Sequence, residues 1–278
     1  MNKNQIVVGN GAAELLYAIC RLPGYTGAFV PAPGFSEYKA ALEASRIPVR
    51  DIYYRPREDE HGKPYFEVPY LALETFAAEL KGQDGRIIVF LGNPNNPDGT
   101  LLDKNHILTI ASMLKDANSL LVIDESFIDF VGNDTLQDNE YSMRSLVNEF
   151  DNIIVVHSFT KFYAVPGLRI GAAFSNPLII EQLNSFIPTW SVNTLAQSYT
   201  EAALNDVEYV KRTKQVLHEE QLFMYNSLDT IDGITVYPPS ANFMLFHIEQ
   251  EGITAESINE ALKKYNMIVP LSKCNTIQ

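Results

Sequence analysis

The sequence has 278 residues, of which 46% are hydrophobic and 20% are charged, and its formal net charge is -13. This composition is that of a globular protein, and no run of apolar residues approaches the ~18 that a membrane-spanning helix needs. The acidic balance argues against a nucleic-acid partner, because phosphate backbones are bound by clustered Lys and Arg side chains. We therefore expect neither a nucleic acid nor a membrane among the partners.

The cysteines and histidines argue against two further kinds of site. Cys20 and Cys274 cannot form a disulfide framework, and the N-terminal residues contain no apolar signal region, so the cytoplasm is the expected compartment. No histidine lies at metal-ligand spacing from another histidine or from a cysteine. We therefore expect no metal site.

Short β-rich runs alternate with helical patterns through most of the sequence. The predicted strands are residues 27–32, 86–92, 119–125 and 152–158, and the predicted helices between them are residues 36–45, 105–117 and 142–150. This order is typical of a mostly parallel sheet covered by helices. We predict an α/β fold whose large domain spans residues 1–195, with ligands at the carboxyl ends of the strands.

A long amphipathic pattern and a smaller unit follow the large domain. Residues 207–231 predict one helix, and the segments 233–239, 241–248, 255–265 and 267–270 are typical of an α+β unit. We predict a small C-terminal domain over residues 196–278.

A glycine turn precedes the first predicted helix. Gly9, Asn10 and Gly11 follow a short strand, and the helix is predicted to begin near Ala12. Free N–H groups and the helix dipole make such a turn suitable for an anion. A dinucleotide fingerprint would require Gly or Ala where Glu14 stands, so NAD is disfavoured. A turn without any ligand remains an alternative.

Residues 91–100, "LGNPNNPDGT", follow a buried strand and contain two Asn-Pro steps. These residues are ordinary turn formers. A rigid turn at the carboxyl end of a strand also offers side-chain amides to a ligand, and we favour this function over a purely structural turn.

Asp124 ends the apolar strand "LLVID". A carboxylate at a buried strand end is costly unless it is paired or hydrogen-bonded, which makes Asp124 a candidate functional residue. The alternative is a solvated aspartate that starts a loop. We interpret the neighbouring Glu125 as structural.

The stretch "HSFTKFYAVPGLRIG", residues 157–171, follows the last strand of the series. Ser158, Thr160 and Arg169 are good phosphate ligands, and Lys161 among them could carry a carbonyl cofactor as a Schiff base. Taken alone, Lys161 is better explained as a solvated loop lysine. All four motifs follow predicted strands in order, however, so they can converge on one crevice.

These motifs resemble the fold type I pyridoxal-phosphate enzymes, in particular the class I and II aminotransferase group. That group includes histidinol-phosphate aminotransferase and threonine-phosphate decarboxylase. The similarity runs from "VVGNGAAEL" through "APGFSEY", "GNPNNPDGT", "VIDESF", "HSFTKFYAVPGLRIG" and "WSVNTLAQ" to "SANFMLF", which covers nearly the whole chain.

The resemblance implies a role for each matching residue. Lys161 is similar to the lysine that forms the Schiff base with the cofactor aldehyde, and Asp124 to the carboxylate that keeps the pyridine nitrogen protonated. Asn96 resembles the residue that bonds the cofactor O3' and a substrate carboxylate, and Phe35 the aromatic residue that stacks on the ring. The implied phosphate site comprises Gly11, Ala12, Ala13, Ser158, Thr160 and Arg169.

The resemblance also implies an activity, a substrate class and an assembly. "TKFYAVPGLR" and "DESFIDF" favour an enzyme similar to threonine-phosphate decarboxylase, of a cobalamin-type pathway, that acts on a phosphorylated amino acid or amine. The alternatives are histidinol-phosphate aminotransferase and a cofactor-binding but inactive module. The family usually builds its site in a homodimer, so we expect one.

The sequence departs from the family pattern at Phe127, where many aminotransferases have a tyrosine, and at both ends. The family normally has an N-terminal arm before the "VGNG" strand and, after residues 267–270, a strand with a carboxylate-binding arginine. We find neither here, and we therefore expect a chain truncated at both ends.

Overall fold

The computed structural model describes residues 1–80, 85–132 and 139–270. The strands in these residues are β1 (Ile6–Gly9), β2 (Tyr25–Ala32), β3 (Val49–Tyr53), β4 (Arg55–Glu58), β5 (Pro64–Glu67), β6 (Arg86–Gly92), β7 (Leu120–Asp124), β8 (Ile153–Ser158), β9 (Gly171–Phe174), β10 (Ile234–Val236) and β11 (Phe246–Ile248). The helices are α1 (Ala12–Ile19), α2 (Ser36–Ala44), α3 (Tyr70–Glu79), α4 (Lys104–Asp116), α5 (Phe159–Phe162), α6 (Pro177–Phe186), α7 (Thr194–Leu204), α8 (Val207–Asp229) and α9 (Ala255–Lys263).

The main sheet has seven strands in the order β1-β9-β8-β7-β6-β2-β3. Each pair from β3 to β8 is parallel, whereas β9 is antiparallel to both of its neighbours, β8 and β1. Since β9 alone is reversed, β1 points in the same direction as β8. The predicted α/β fold with a mostly parallel sheet is confirmed.

The central strands are apolar because both faces of the sheet are covered. On β6, Val89 and Leu91 contact one hydrophobic cluster and Ile88 and Phe90 contact the other, and all four side chains are buried. Successive side chains of a strand point to opposite faces, so a strand between two helical layers needs a continuous apolar run.

A two-stranded sheet of β10 and β11 forms the C-terminal part together with α8 and α9. A third cluster, which includes Phe162 of α5, Val210 of α8 and Ala241, packs this part against the segment that follows β8. The predicted boundary between residues 195 and 196 lies within α7, and the division into two domains stays a prediction. None of the helices in the described ranges combines the length and the apolar character that a membrane crossing requires.

Two local predictions differ from the structure, and one hairpin was not predicted. The helix predicted over residues 142–150 is a short 3-10 helix, Arg144–Asn148, because Ser142 and Met143 at its start donate hydrogen bonds to Glu125 instead of continuing a helix. Residues 267–270 contain no strand. The hairpin of β4 and β5 was not predicted, because β4 is exposed throughout and shows no apolar alternation.

Candidate active site

The predicted site motifs meet at one edge of the main sheet. Gly92 of β6 pairs with Asp124 of β7, while Ser158 of β8 and Gly9 of β1 both pair with Gly171 of β9. The carboxyl ends of β6, β7, β8 and β1 therefore lie side by side. The reversed strand β9 starts at the same edge and brings the residues that precede it to this edge as well.

A cavity of about 90 Å³, partly open to solvent, lies at this edge. The residues that line it are Ala12, Ala13, Phe35, Tyr38, Pro94, Asn96, Asp124, Ser126, Phe127, Ser158, Thr160, Lys161 and Arg169. Nine of the ten residues predicted to bind a ligand are among them, and the tenth, Gly11, is the N-cap of α1.

The N-terminus of α1 forms one end of the cavity. Gly11 has a φ of 84°, and a Cβ atom on it would collide with the Arg169 guanidinium, so glycine allows the arginine to lie against the turn. The Ser158 and Thr160 hydroxyls are 2.9 Å apart and buried. Backbone N–H groups, two hydroxyls and a guanidinium thus surround one point, which is the donor set that a phosphate group prefers.

The three asparagines of the turn after β6 have different environments. Asn93 donates to the Tyr141 carbonyl and accepts from the Leu102 N–H, while Asn95 donates to the Pro33 carbonyl. Asn96 lines the cavity, and no side-chain hydrogen bond of Asn96 is found within the described ranges. Its amide is therefore available to a ligand, whereas the other two asparagines hold the turn.

The Asp124 carboxylate is buried at the floor of the cavity. Its Oδ1 accepts from the Ser126 N–H at 2.9 Å and from the Ser126 hydroxyl at 2.6 Å, and its Oδ2 accepts from the Tyr38 hydroxyl at 2.9 Å. Burial raises the pKa of Asp124, and these hydrogen bonds together with the charge of His157 oppose that rise. The loop aspartate that was the alternative interpretation would be exposed to solvent, and Asp124 is 6% exposed.

Lys161 lies in the short helix α5, immediately after Ser158 and Thr160. Its Nζ is 5.4 Å from the centroid of the Phe127 ring. The side chain is exposed to solvent. The amine and the Asp124 carboxylate both face the cavity, where one small molecule can contact both.

A buried contact between a histidine and a carboxylate lies behind the cavity. His157 Nε2 is 2.9 Å from Asp129 Oδ2, and both side chains are less than a tenth exposed. Glu125, which we interpreted as structural, is also fully buried and accepts from the Ser142 hydroxyl. These contacts connect β8 to the segment after β7 and hold the two chain segments that carry Lys161 and Phe127.

Replacing His157 with leucine is expected to lower the free energy of unfolding by about 3–5 kcal/mol, because it leaves the Asp129 carboxylate buried without its partner. Urea denaturation followed by circular dichroism measures this change. His61→Leu removes a histidine that is exposed on the surface and should change the stability by less than ~0.5 kcal/mol. Equal stabilities of the two variants would contradict the structural role of the pair.

Sequence reasoning did not identify Tyr38 and Ser126 as site residues, and it discussed Phe127 only as a departure from a family pattern. Tyr38 lies in the first turn of α2, three residues after Phe35, which is the N-cap of that helix. Ser126 follows Asp124 by two residues, the spacing at which an aspartate accepts from a nearby backbone N–H. The signal for Ser126 is local and could have been found, whereas the contact of Tyr38 with Asp124 joins residues 86 positions apart.

The comparisons with known proteins identify related chains over nearly the full sequence. The model of the family described as aminotransferase class I and II matches residues 1–273. The adenosylcobalamin biosynthesis bifunctional protein of Leptospira interrogans is 33% identical over 95% of this chain and 29% of its own length. The threonine-phosphate decarboxylase of Salmonella typhimurium is 32% identical over 89% of this chain and 64% of its own length.

A solved structure has the same fold. The histidinol-phosphate aminotransferase from Clostridium acetobutylicum superposes with a TM-score of 0.82 and 25% sequence identity, over 98% of this chain and 75% of that protein. The chain spans less than two thirds of the length of the Leptospira and Salmonella relatives.

Proposed function

Because this chain belongs to the class I and II aminotransferase family, we propose that it is a pyridoxal 5'-phosphate enzyme that decarboxylates threonine phosphate or a closely similar phosphorylated amino acid. The threonine-phosphate decarboxylase of Salmonella typhimurium, which is 32% identical to this chain, supports this substrate class. The observation that carries the proposal is the single cavity in which Lys161, Asp124 and Asn96 meet a phosphate-binding end. The protein is an enzyme by its family and fold.

The residues present fit this cofactor. At one end of the cavity, a Cβ atom on Gly11 would fill the space next to Arg169, and a Cβ atom on Gly171 would lie 2.6 Å from the Ala12 nitrogen. These two glycines keep a cradle of donors open for the cofactor phosphate. At the other end, Asp124 would bind the pyridine nitrogen and Phe35 would cover the ring. Asn96 is placed for the O3' atom or for a substrate carboxylate.

When bound, the cofactor supplies an electron sink for the charge that develops at the substrate Cα. The residues of this chain orient the reactants and move protons around that atom. Asp124 would hold a proton on the ring nitrogen, and Asn96 would fix the substrate carboxylate. Lys161 would bind the cofactor aldehyde covalently until the substrate amine displaces it. The released Lys161 amine would take the proton that the substrate ammonium gives up and would donate it to Cα after CO2 leaves.

The same residues would serve amino transfer, in which Lys161 takes the proton from Cα. A histidinol-phosphate aminotransferase is therefore the second candidate, and the similarity to the Clostridium structure favours it. Whether CO2 or a proton leaves Cα depends on which bond is held perpendicular to the ring, because only that bond aligns with the electron sink.

Incubation with each substrate separates the two candidates. We expect the purified protein with pyridoxal 5'-phosphate to release CO2 from threonine phosphate with no requirement for a keto acid. Unphosphorylated threonine is the control, and it should react more slowly because it lacks the phosphate. Amino transfer from histidinol phosphate to 2-oxoglutarate would contradict the decarboxylase. Cofactor absorbance without turnover of either substrate would instead support an inactive module.

We also infer a homodimer that works in the cytoplasm, with the residues 1–195 and 196–278 as separate domains. The exposed apolar side chains of Trp190 and Leu195, at 93% and 73% exposure, support an interface at this part of the chain. Light scattering of the purified protein measures the mass of the particle, and a monomer at micromolar concentration would contradict this proposal.

A further inference from the structure

We propose that Tyr38 is a positioning residue for the cofactor ring. Its hydroxyl orients the Asp124 carboxylate through a hydrogen bond, and the edge of its ring contacts Phe35, which lines the same cavity. The inference rests on the proposed cofactor site, and it concerns a side chain to which the sequence motifs assign no role.

The hydrogen bonds of Asp124 leave one acceptor position open. Both bonds from Ser126 go to Oδ1, at 2.9 and 2.6 Å, and within the described residues Oδ2 accepts only the Tyr38 hydroxyl, at 2.9 Å. A carboxylate oxygen has two lone pairs. One lone pair of Oδ2 is therefore free, and Tyr38 determines the direction in which it points.

Tyr38 is held rigidly enough to set this direction. It lies on α2 with 3% exposure, and its ring stacks on Phe90 with centroids 5.3 Å apart. The edge of the ring also contacts Phe35, with centroids 5.6 Å apart and an interplanar angle of 86°. One buried side chain thus contacts both the residue proposed to cover the cofactor ring and the carboxylate proposed to bind its nitrogen.

The Tyr38 hydroxyl acts as a donor. Burial and the adjacent Asp124 carboxylate raise the pKa of Tyr38 well above its usual value, so the hydroxyl stays protonated. Burial also raises the pKa of Asp124, and the bond from Tyr38 is one of the contacts that counteract this effect. A protonated Asp124 could not hold a proton on a pyridine nitrogen, so the donor favours the functional form.

Other ionisable groups near Asp124 come from several elements. His157 on β8 acts on it through its charge, and Glu125 follows it on the chain. Lys161 and Arg169 line the same cavity from the segment that follows β8. A test therefore has to change the Tyr38 hydroxyl and leave these charges in place, which Tyr38→Phe does.

The first experiment uses the cofactor-free protein and reports on Asp124 directly. Protein labelled with 13C at the aspartate carboxyls is titrated by NMR, with Asp124→Asn used to assign the signal. We expect a higher pKa of Asp124 in Tyr38→Phe than in wild type. The matched control is Tyr54→Phe, because the buried Tyr54 hydroxyl has no hydrogen-bond partner among the residues that the structure describes. An unchanged pKa in Tyr38→Phe, or an equal rise in both variants, would overturn the proposal.

The second experiment separates the hydroxyl from the packing of the ring. With pyridoxal 5'-phosphate, Tyr38→Phe is expected to lower kcat roughly tenfold to a hundredfold, the loss that follows from one hydrogen bond to a charged group. With 1-deazapyridoxal phosphate, in which carbon replaces the ring nitrogen, wild type and Tyr38→Phe should have equal rates. A loss of the same size with both cofactors would show a purely structural role and refute the proposal.

Failure of this proposal and failure of the proposed function give different experimental results. Wild type without any visible absorbance after incubation with the cofactor would contradict the cofactor site itself. The carboxyl titration needs neither cofactor nor turnover, so it tests the contact between Tyr38 and Asp124 in either case.

Discussion

Substituting Lys161 with alanine is expected to remove the visible absorbance of the lysine-bound cofactor and to lower turnover by roughly a thousandfold or more. Lys161 is the lysine among the residues that line the cavity, next to the buried hydroxyls of Ser158 and Thr160. Its loss removes both the covalent bond to the cofactor and the group that transfers the proton at Cα. Absorbance spectra and steady-state kinetics of the purified variant measure the two effects.

Two further variants show which property of Lys161 matters. Lys161→Arg keeps a positive charge at the same place but cannot form a Schiff base, so it should lose as much activity as the alanine variant. Lys115→Ala removes an exposed lysine that pairs with Asp151 on the surface and should keep normal absorbance and turnover. An alanine variant of Lys161 with an unchanged spectrum would refute its assignment as the cofactor lysine.

Replacing Asp124 with asparagine should lower kcat by about a hundredfold to a thousandfold, the usual cost of removing one electrostatic contact in an active site. The neutral amide cannot hold a proton on the ring nitrogen, although it has nearly the same shape. Glu125→Gln is the matched control, since Glu125 is an equally buried carboxylate next in the chain that does not line the cavity. A larger loss in Glu125→Gln than in Asp124→Asn would contradict the assignment.

Asp124→Asn should lower kcat, but it should raise the stability of the cofactor-free protein. Burial raises the pKa of Asp124 above its value in the unfolded chain, so the ionised carboxylate costs stability when the pH is above the folded-state pKa. Asp124→Asn should then be more stable than wild type near neutral pH. The difference should disappear as the pH falls through the folded-state pKa toward ~4, the usual value of an unfolded aspartate.

Denaturant unfolding of wild type and Asp124→Asn, near neutral pH and near pH ~4, measures this difference in stability. A variant that is less stable than wild type near neutral pH would contradict the expectation. A confirmed result would show that this fold carries a buried carboxylate at a cost in stability, which is the trade between stability and function that active sites commonly show.

The central sheet could be predicted from the sequence because its signal is local. Residues 86–92 and 119–125 are apolar runs that end in turn formers, and such runs become buried strands wherever helices cover both faces. The direction of β9 was not predictable in this way. A strand of four small and apolar residues fits either direction, and its pairing with β1, which lies more than 160 residues earlier in the chain, decides the matter.

Some features of the site could likewise be identified from the sequence, and others were decided by the tertiary structure. Lys161, Asp124 and the glycine turn could be identified from the sequence, because the order of turn motifs after strands is itself a local pattern. Which asparagine of "NPNN" faces the cavity was decided by tertiary contacts, since Tyr141 and Pro33 engage Asn93 and Asn95.

The sequence by itself determined the family, the order of the strands along the chain and the chemistry available at their ends, because residue type and spacing are properties of the chain. Only the tertiary structure decided how the carboxylate of Asp124 is oriented. Its partner Tyr38 lies 86 residues away along the chain, on helix α2. Hydrogen bonds between such distant residues depend on how helices pack on the sheet, and no short stretch of sequence encodes that arrangement.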